Sequence, residues 1–199
     1  MKRRIIIFLV VATISAEAYT KEPVPPSRLW AEFEMGRTIA ALQDELKSSG
    51  ILALGGPGLL RWETRSPSKS TLIVNGGKAW IHYPDLGVTK SFDLGQDPVM
   101  KVMSEHLLAL SGGDFVKIAT MYDMEDLGKG KKRLVPKQKS VRDVFKEMRV
   151  VLTPQGVASR VSIVSKTGDV TTITFRRVKT NDSFCPTATA CAKLFEKPQ

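Results

Sequence analysis

From Gly50 to Val178 the chain is cut at close intervals into short β-type runs by turn residues, and no other feature restricts the fold as much. Ile51–Leu54 precedes Gly55-Gly56-Pro57-Gly58, and Leu59–Arg65 precedes Ser66-Pro67-Ser68. Thr71–Val74 and Ala79–Tyr83 flank Asn75-Gly76-Gly77, a hairpin signal because Asn and Gly tolerate the positive φ of tight turns. Further runs cover Arg149–Leu152, Ala158–Val164 and Val170–Val178, the last two joined around Thr167-Gly168-Asp169. Upstream, Leu29, Ala31, Phe33 and Met35 alternate with Trp30, Glu32 and Glu34, the period of a two-faced strand. The pattern predicts a mainly β (α+β) fold: antiparallel strands forming a strongly curved sheet or incomplete barrel.

One segment has a different period. Asp97 and Pro98 supply a cap and a first-turn proline, and Val99, Met103, Leu107 and Leu110 fall on one helical stripe until Ser111-Gly112-Gly113. A helix over 98–110 must bury that stripe, and the concave face of a curved sheet is the natural place. The stretch Thr38–Lys47 is ambiguous, because Ile39, Leu42 and Leu46 are spaced as on a helix and nothing breaks the pattern before Ser48-Ser49-Gly50.

The first residues combine a basic start (Lys2, Arg3, Arg4), an apolar run from Ile5 to Ile14 and the small-x-small triplet Ala16-Glu17-Ala18. This reads as a signal peptide over 1–18, cleaved before Tyr19, since the run is about half of what a bilayer-spanning helix needs. The organisation expected is a signal peptide (1–18), a Pro-rich extended leader (19–28), one β domain (29–180) and a tail (181–199). Cleavage takes three cations and Glu17 with it, so the formal charge of +10 falls to +8. In an exported protein a basic surface suits anionic headgroups or acidic proteins, and no nucleic acid is expected as a partner. No cysteine follows the apolar run, where a lipoprotein would be acylated. Cys185 and Cys191 lie near the other end and are a candidate disulfide in an oxidising compartment.

Enzymatic motifs are missing. There is no Gly-x-Ser-x-Gly turn, no His-Glu-x-x-His pair and no Gly-x-x-x-x-Gly-Lys loop, so no catalytic residues are assigned. His82 and His106 are too isolated for a metal site with the cysteines. Asp123, Glu125 and Asp126 read as a solvated polar connection, and the basic run Lys129, Lys131, Lys132, Arg133, Lys137 and Lys139 as a solvated loop more readily than a docking site. Apolar strand faces are plentiful: Leu60, Trp62 and Thr64 oppose Arg61, Glu63 and Arg65, and Trp80 shares a face with His82. If these faces line a half-barrel, a helix such as 98–110 lies across it as a lid, with Met100 and Met103 adding adaptable surface. By patterning alone, an ordinary core is favoured over a cavity.

The stretch Gly56-Pro57-Gly58-Leu59-Leu60-Arg61-Trp62, then Ser66-Pro67, then Leu72-Ile73-Val74-Asn75-Gly76-Gly77-Lys78-Ala79-Trp80-Ile81-His82-Tyr83-Pro84, resembles the LolA family of periplasmic lipoprotein carriers. The resemblance implies an incomplete antiparallel barrel with a helical lid over an apolar cavity for acyl chains, lined here by Phe33, Leu60, Trp62, Leu72, Val74, Trp80, Met100, Met103 and Leu107. It implies a monomer that needs no cofactor and works in the periplasm of a Gram-negative-type bacterium. Such a carrier takes lipoprotein or lipid cargo from an inner-membrane release complex to an outer-membrane receptor, touching its membrane-bound partners transiently. It also turns Thr38–Lys47 into strand, with a bend near Gly36.

Two departures stand out. Family members carry Arg before the first Pro, where it helps hold the lid, and this chain has Gly56. They also carry an amphipathic helix before the first strand, where this chain has only Tyr19–Arg28. The same fold with a glycolipid or other envelope lipid as cargo, or a protein-binding or sensing module with its cavity filled, are the alternatives.

Overall fold

Two rows of paired residues define the two sides of the sheet. In the computed structural model, which describes residues 28–41, 44–184 and 188–198, Ala31, Leu52, Trp62, Leu72 and Ile81 lie side by side across five strands. Their neighbours Ala53, Arg61, Ile73 and Trp80 form the matching row on the opposite face. These strands are β1 (Leu29–Thr38), β2 (Glu45–Gly56), β3 (Leu59–Ser66), β4 (Ser70–Asn75) and β5 (Lys78–Tyr83). The segment predicted as a signal peptide and the leader up to residue 27 lie outside the described residues.

After β5 come a single 3-10 turn (Pro84–Leu86), β6 (Val88–Asp93), the helices α1 (Pro98–Gly112) and α2 (Phe115–Met121), and then β7 (Tyr122–Asp126) and β8 (Lys131–Pro136). The short α3 (Lys139–Arg142) leads into β9 (Phe145–Leu152), β10 (Ala158–Ser165) and β11 (Val170–Thr180), and α4 (Ala188–Lys193) belongs to the tail. All eleven described strands form one antiparallel sheet in the order β6-β5-β4-β3-β2-β1-β11-β10-β9-β8-β7. β6 and β7 are its edges and do not pair with each other, so the sheet is not closed. The chain between these edges is α1 and α2, so both helices belong to the connection across the gap.

Local chemistry accounts for the elements that the sequence made legible. Asn75 pairs with Lys78 around Gly76 and Gly77, whose φ of 57° and 77° give the turn the twist that suits a two-residue hairpin. At the start of α1 the Asp97 carboxylate accepts from the Met100 amide at 2.9 Å, Pro98 occupies the first turn, and Gly113 at φ 66° ends the helix.

Thr38–Lys47 holds the end of β1 and the start of β2 on either side of a corner, so its two ends are strand, as the resemblance implied, and not the helix that its spacing suggested. β1 runs to Thr38 and β2 starts at Glu45, with Thr38 paired to Glu45 and Arg37 to Leu46. The expected bend near Gly36 is not found: Gly36 keeps register with Lys47 and Thr172, and the irregularity of β1 falls between Trp30 and Glu32 against β11. Asp169 fastens the corner to the β10–β11 turn by accepting from the Ala40 amide (3.1 Å) and from Arg37 (3.0 Å). That backbone bond and then the guanidinium hold the Asp169 carboxyl below its usual range.

Asp123, Glu125 and Asp126, expected in a polar connection, are exposed residues of β7, and the basic run includes its partner β8. Asp126 meets Lys132 at 3.3 Å, Glu125 meets Arg133 at 3.2 Å and Asp123 meets Lys137 at 3.8 Å. The run is therefore a largely neutralised hairpin rather than a loop of free cations. Arg133 also reaches back to Glu147 at 2.7 Å, which Arg149 contacts from the other side. Hydrogen bonding to Arg133, against the opposing effect of burial, keeps the Glu147 carboxyl ionised to lower pH than usual.

Two core clusters share the concave side. One gathers Leu29, Ala31, Leu52, Leu54, Leu60, Val74, Ala79 and Met100, and the other Ile118, Tyr122, Leu134, Met148, Val150, Val161 and Ala109. Phe175 packs against both, and Met100 and Ala109 bring α1 into both, so the helix lies along the apolar face.

Candidate functional site: the apolar face beneath α1

The alternation in β1–β5 places the expected lining residues mostly together. Phe33 is 1% exposed, and its ring centroid lies 4.4 Å from that of Trp62 with the planes tilted by 33°. Gly50, paired with Phe33, makes this contact possible, because a Cβ there would run into the Glu63 carbonyl and the Phe33 ring. Leu60, Val74 and Met100 are buried in the same apolar cluster, and Trp62, Leu72 and Leu107 pack against it half-buried.

Two expected lining residues lie elsewhere. Trp80 sits on the opposite, convex face, because Ala79 and Ile81 occupy the inward positions of β5. Met103 is 37% exposed and Val99 75% exposed, so α1 is rotated away from the stripe its apolar residues suggested. The buried members of the helix are Met100, Ser104, Ala109 and Ser111, and Leu107 and Leu108 join them in the core. Two serines occupy positions that a hydrophobic pattern reads as solvent-facing, which is why the sequence pointed to the wrong face.

In this form the interior is filled. Beneath α1 lies a thin void without room for a water molecule, between Ser111 and the residues Leu29, Ala31, Leu52, Val157, Phe175 and Val178. A roomier depression of about 450 Å³ is polar and lies around Gly36, Lys47 and Ser49, away from this apolar face.

The convex face has its own cover. Phe195 is fully buried against Ala53 and Ile73, with Trp30, Leu59, Trp80, Phe184 and Leu194 around it. Gly55 accepts the Phe195 ring where a Cβ would collide with it. Asn75 donates to the Phe195 carbonyl at 3.1 Å and Arg61 to the Leu194 carbonyl at 3.3 Å. The tail thus covers a face of the sheet. Cys191 is buried and disulfide-bonded, and Cys185 lies outside the described residues.

Arg61 is turned away from Trp62, as the strand period required, and Arg61 and Arg65 flank Glu63 at 2.7 and 2.8 Å. Burial opposes ionisation of Glu63, but the two guanidinium groups outweigh it and hold the carboxyl below its usual range. Gly56 occupies a bulge between β2 and β3 at φ 128°, a conformation that only glycine adopts without strain. Among the described residues no three His, Cys, Asp or Glu side chains are grouped to hold a metal ion.

The fold is thus an unclosed antiparallel sheet with helix α1 packed on one of its apolar faces. The family model of the outer membrane lipoprotein carrier protein LolA matches residues 29–188, and the chain belongs to that family, one of carriers and not of enzymes. The outer-membrane lipoprotein carrier protein of Azotobacter vinelandii is 32% identical over 139 residues, spanning 69% of this chain and 64% of that protein. The protein of the same name from Legionella pneumophila strain Lens is 25% identical over 98% of this chain and 94% of its own length. Among solved structures, a LolA superfamily protein from Nitrosomonas europaea is similar at 12% identity, covering 87% of this chain and 91% of that one with a TM-score of 0.43.

Proposed function

We propose that this protein is a periplasmic carrier that hides the acyl chains of a lipoprotein in the space beneath α1 while moving it from the inner to the outer membrane. The observation that carries the reading is the continuous apolar face across β1–β5, covered from the inside chiefly by one helix. Exposing an acyl chain to water costs about 0.8 kcal/mol per methylene, so a dozen or more carbons demand a dry host. The void under α1 is far too thin for such a chain, so loading requires the helix to move off the sheet and Phe33, Trp62, Leu72 and Leu107 to receive the cargo.

In this reading residues 1–18 direct export and are removed, an inner-membrane complex releases the cargo to the monomeric carrier, and an outer-membrane receptor accepts it. No helix among the described residues is long and apolar enough to cross a membrane. Purification from the native periplasm followed by mass spectrometry of extracted ligand tests the proposal. Triacylated lipoproteins should be recovered with the protein, and repeated recovery without any acyl-bearing molecule would sink it.

A second reading keeps the carrier and changes the cargo to another envelope lipid. Gly56 favours it: the family's Arg is absent, and φ 128° in the bulge leaves no unstrained place for one. Recovery of a non-protein lipid in the same experiment decides for this reading.

A further inference from the structure

Ser104 is 1% exposed, and its hydroxyl has no hydrogen-bond partner. Among the described residues only Ser48 shares this condition, and Ser48 lies in a more open part of β2. A serine inside a helix usually returns its hydroxyl to a carbonyl one turn back, which Ser104 does not do. A buried hydroxyl without a partner is unfavourable in an apolar setting, and alanine would fill the same space without that cost. Met100, Leu107 and Leu108 lie one turn away on the same side of α1, and Ser111, two turns on, borders the void above Leu29, Ala31, Leu52 and Phe175. The buried side of the helix thus carries two serines, Ser104 without a partner for its hydroxyl and Ser111 at the void.

We propose that Ser104, with Ser111 beside the void, donates hydrogen bonds to the carbonyl oxygens of ester-linked acyl chains, so that the site selects acylglycerol groups over plain hydrocarbon. This rests on the carrier reading given above. Once inside, an ester-linked acyl chain offers its carbonyl oxygen as its strongest polar atom, and this accepts but does not donate. Serine hydroxyls complement it, whereas a charged headgroup would call for a cation, and no buried member of α1 is charged. The unpaired Ser104 hydroxyl is then the donor held for cargo.

The test compares dipalmitoylglycerol with its ether-linked analogue, which has the same chains and free hydroxyl but no carbonyl. Each is titrated against the mature protein by displacement of a fluorescent alkane. Ser104→Ala is expected to bind the ester about three- to tenfold more weakly, as the loss of one neutral hydrogen bond predicts, and the ether unchanged. Ser104→Thr should restore ester binding. The ligand-free thermal midpoint of Ser104→Ala should equal or exceed that of the wild type, which separates the effect from misfolding. Equal affinity of wild type and Ser104→Ala for the ester would overturn the proposal and leave the carrier reading intact. Failure of the wild type to bind either lipid would overturn both.

Discussion

The Tyr122 hydroxyl lies 2.7 Å from Nδ1 of His106, with the two ring centroids 5.3 Å apart, and so ties α1 to the first residue of the edge strand β7. Burial lowers the His106 pKa from its ordinary value, the Glu105 charge opposes the shift and Lys117 reinforces it, while burial raises that of Tyr122. The folded protein therefore holds His106 neutral at pH values where the unfolded chain has begun to bind a proton. Because burial favours neutral His106, the stability linked to it is complete above about pH 6.5 and declines as the pH falls through that value towards the lowered folded pKa. Urea melts between pH 8 and pH 5 should show it. His106→Gln, which keeps a side-chain acceptor but does not titrate, is expected to lose less stability over that range. Parallel pH dependence of the two proteins would remove His106 from the account.

The two tryptophans on opposite faces of the sheet should separate in function. Trp62→Ala and Trp80→Ala are each expected to cost about 2–3 kcal/mol, less than a fully buried aromatic because both are partly exposed. Only Trp62 faces the proposed acyl site. A spin-labelled fatty acyl ligand should quench the fluorescence of the Trp80→Ala protein, where Trp62 remains, and have little effect on the Trp62→Ala protein. The reverse pattern would place the ligand under the tail.

Phe195→Ala should be one of the most damaging changes outside the concave core. It empties a fully buried site between Ala53 and Ile73, at a cost of about 3–5 kcal/mol. Limited proteolysis should then remove the tail faster than in the wild type. Peptide mapping of the protein without reductant is expected to recover Cys191 joined to Cys185, the only other cysteine in the chain. Two alkylated cysteines in that experiment would contradict the pairing.

A side chain at position 56 should destabilise the bulge between β2 and β3. Gly56→Arg forces a side chain onto φ 128° and is expected to cost about 1–3 kcal/mol, visible as a lower denaturation midpoint. Gly56→Ala should lose a similar amount, because the strain lies in the backbone. A neutral or stabilised Gly56→Arg protein would show that the bulge rearranges.

The hairpins and α1 were readable from the sequence because Gly76-Gly77, Asp97 and Pro98 act on the backbone within a few residues. The outer strands β6, β7 and β8 were not, because at a rim many positions face water and polar residues blur the alternation. Face assignment failed for a different reason at Trp80. β4 buries both Ile73 and Val74, so hydrophobicity there does not tell the two sides apart. The cover of the second side, Phe195, comes from a tail far along the chain that carries no local signal. Within α1, Ser104 and Ser111 were invisible as inward residues because their chemistry argues for solvent until the sheet beneath them is seen.

The unpaired edges have a consequence for selectivity. In a closed barrel the number of strands and their stagger fix the girth, and widening it means breaking backbone hydrogen bonds. Between β6 and β7 no such bonds exist to break, so the circumference here is governed by how α1 and α2 pack. In the proposed carrier such a sheet yields gradually to bulk, and should measure its cargo by the polar atoms it carries more strictly than by its length.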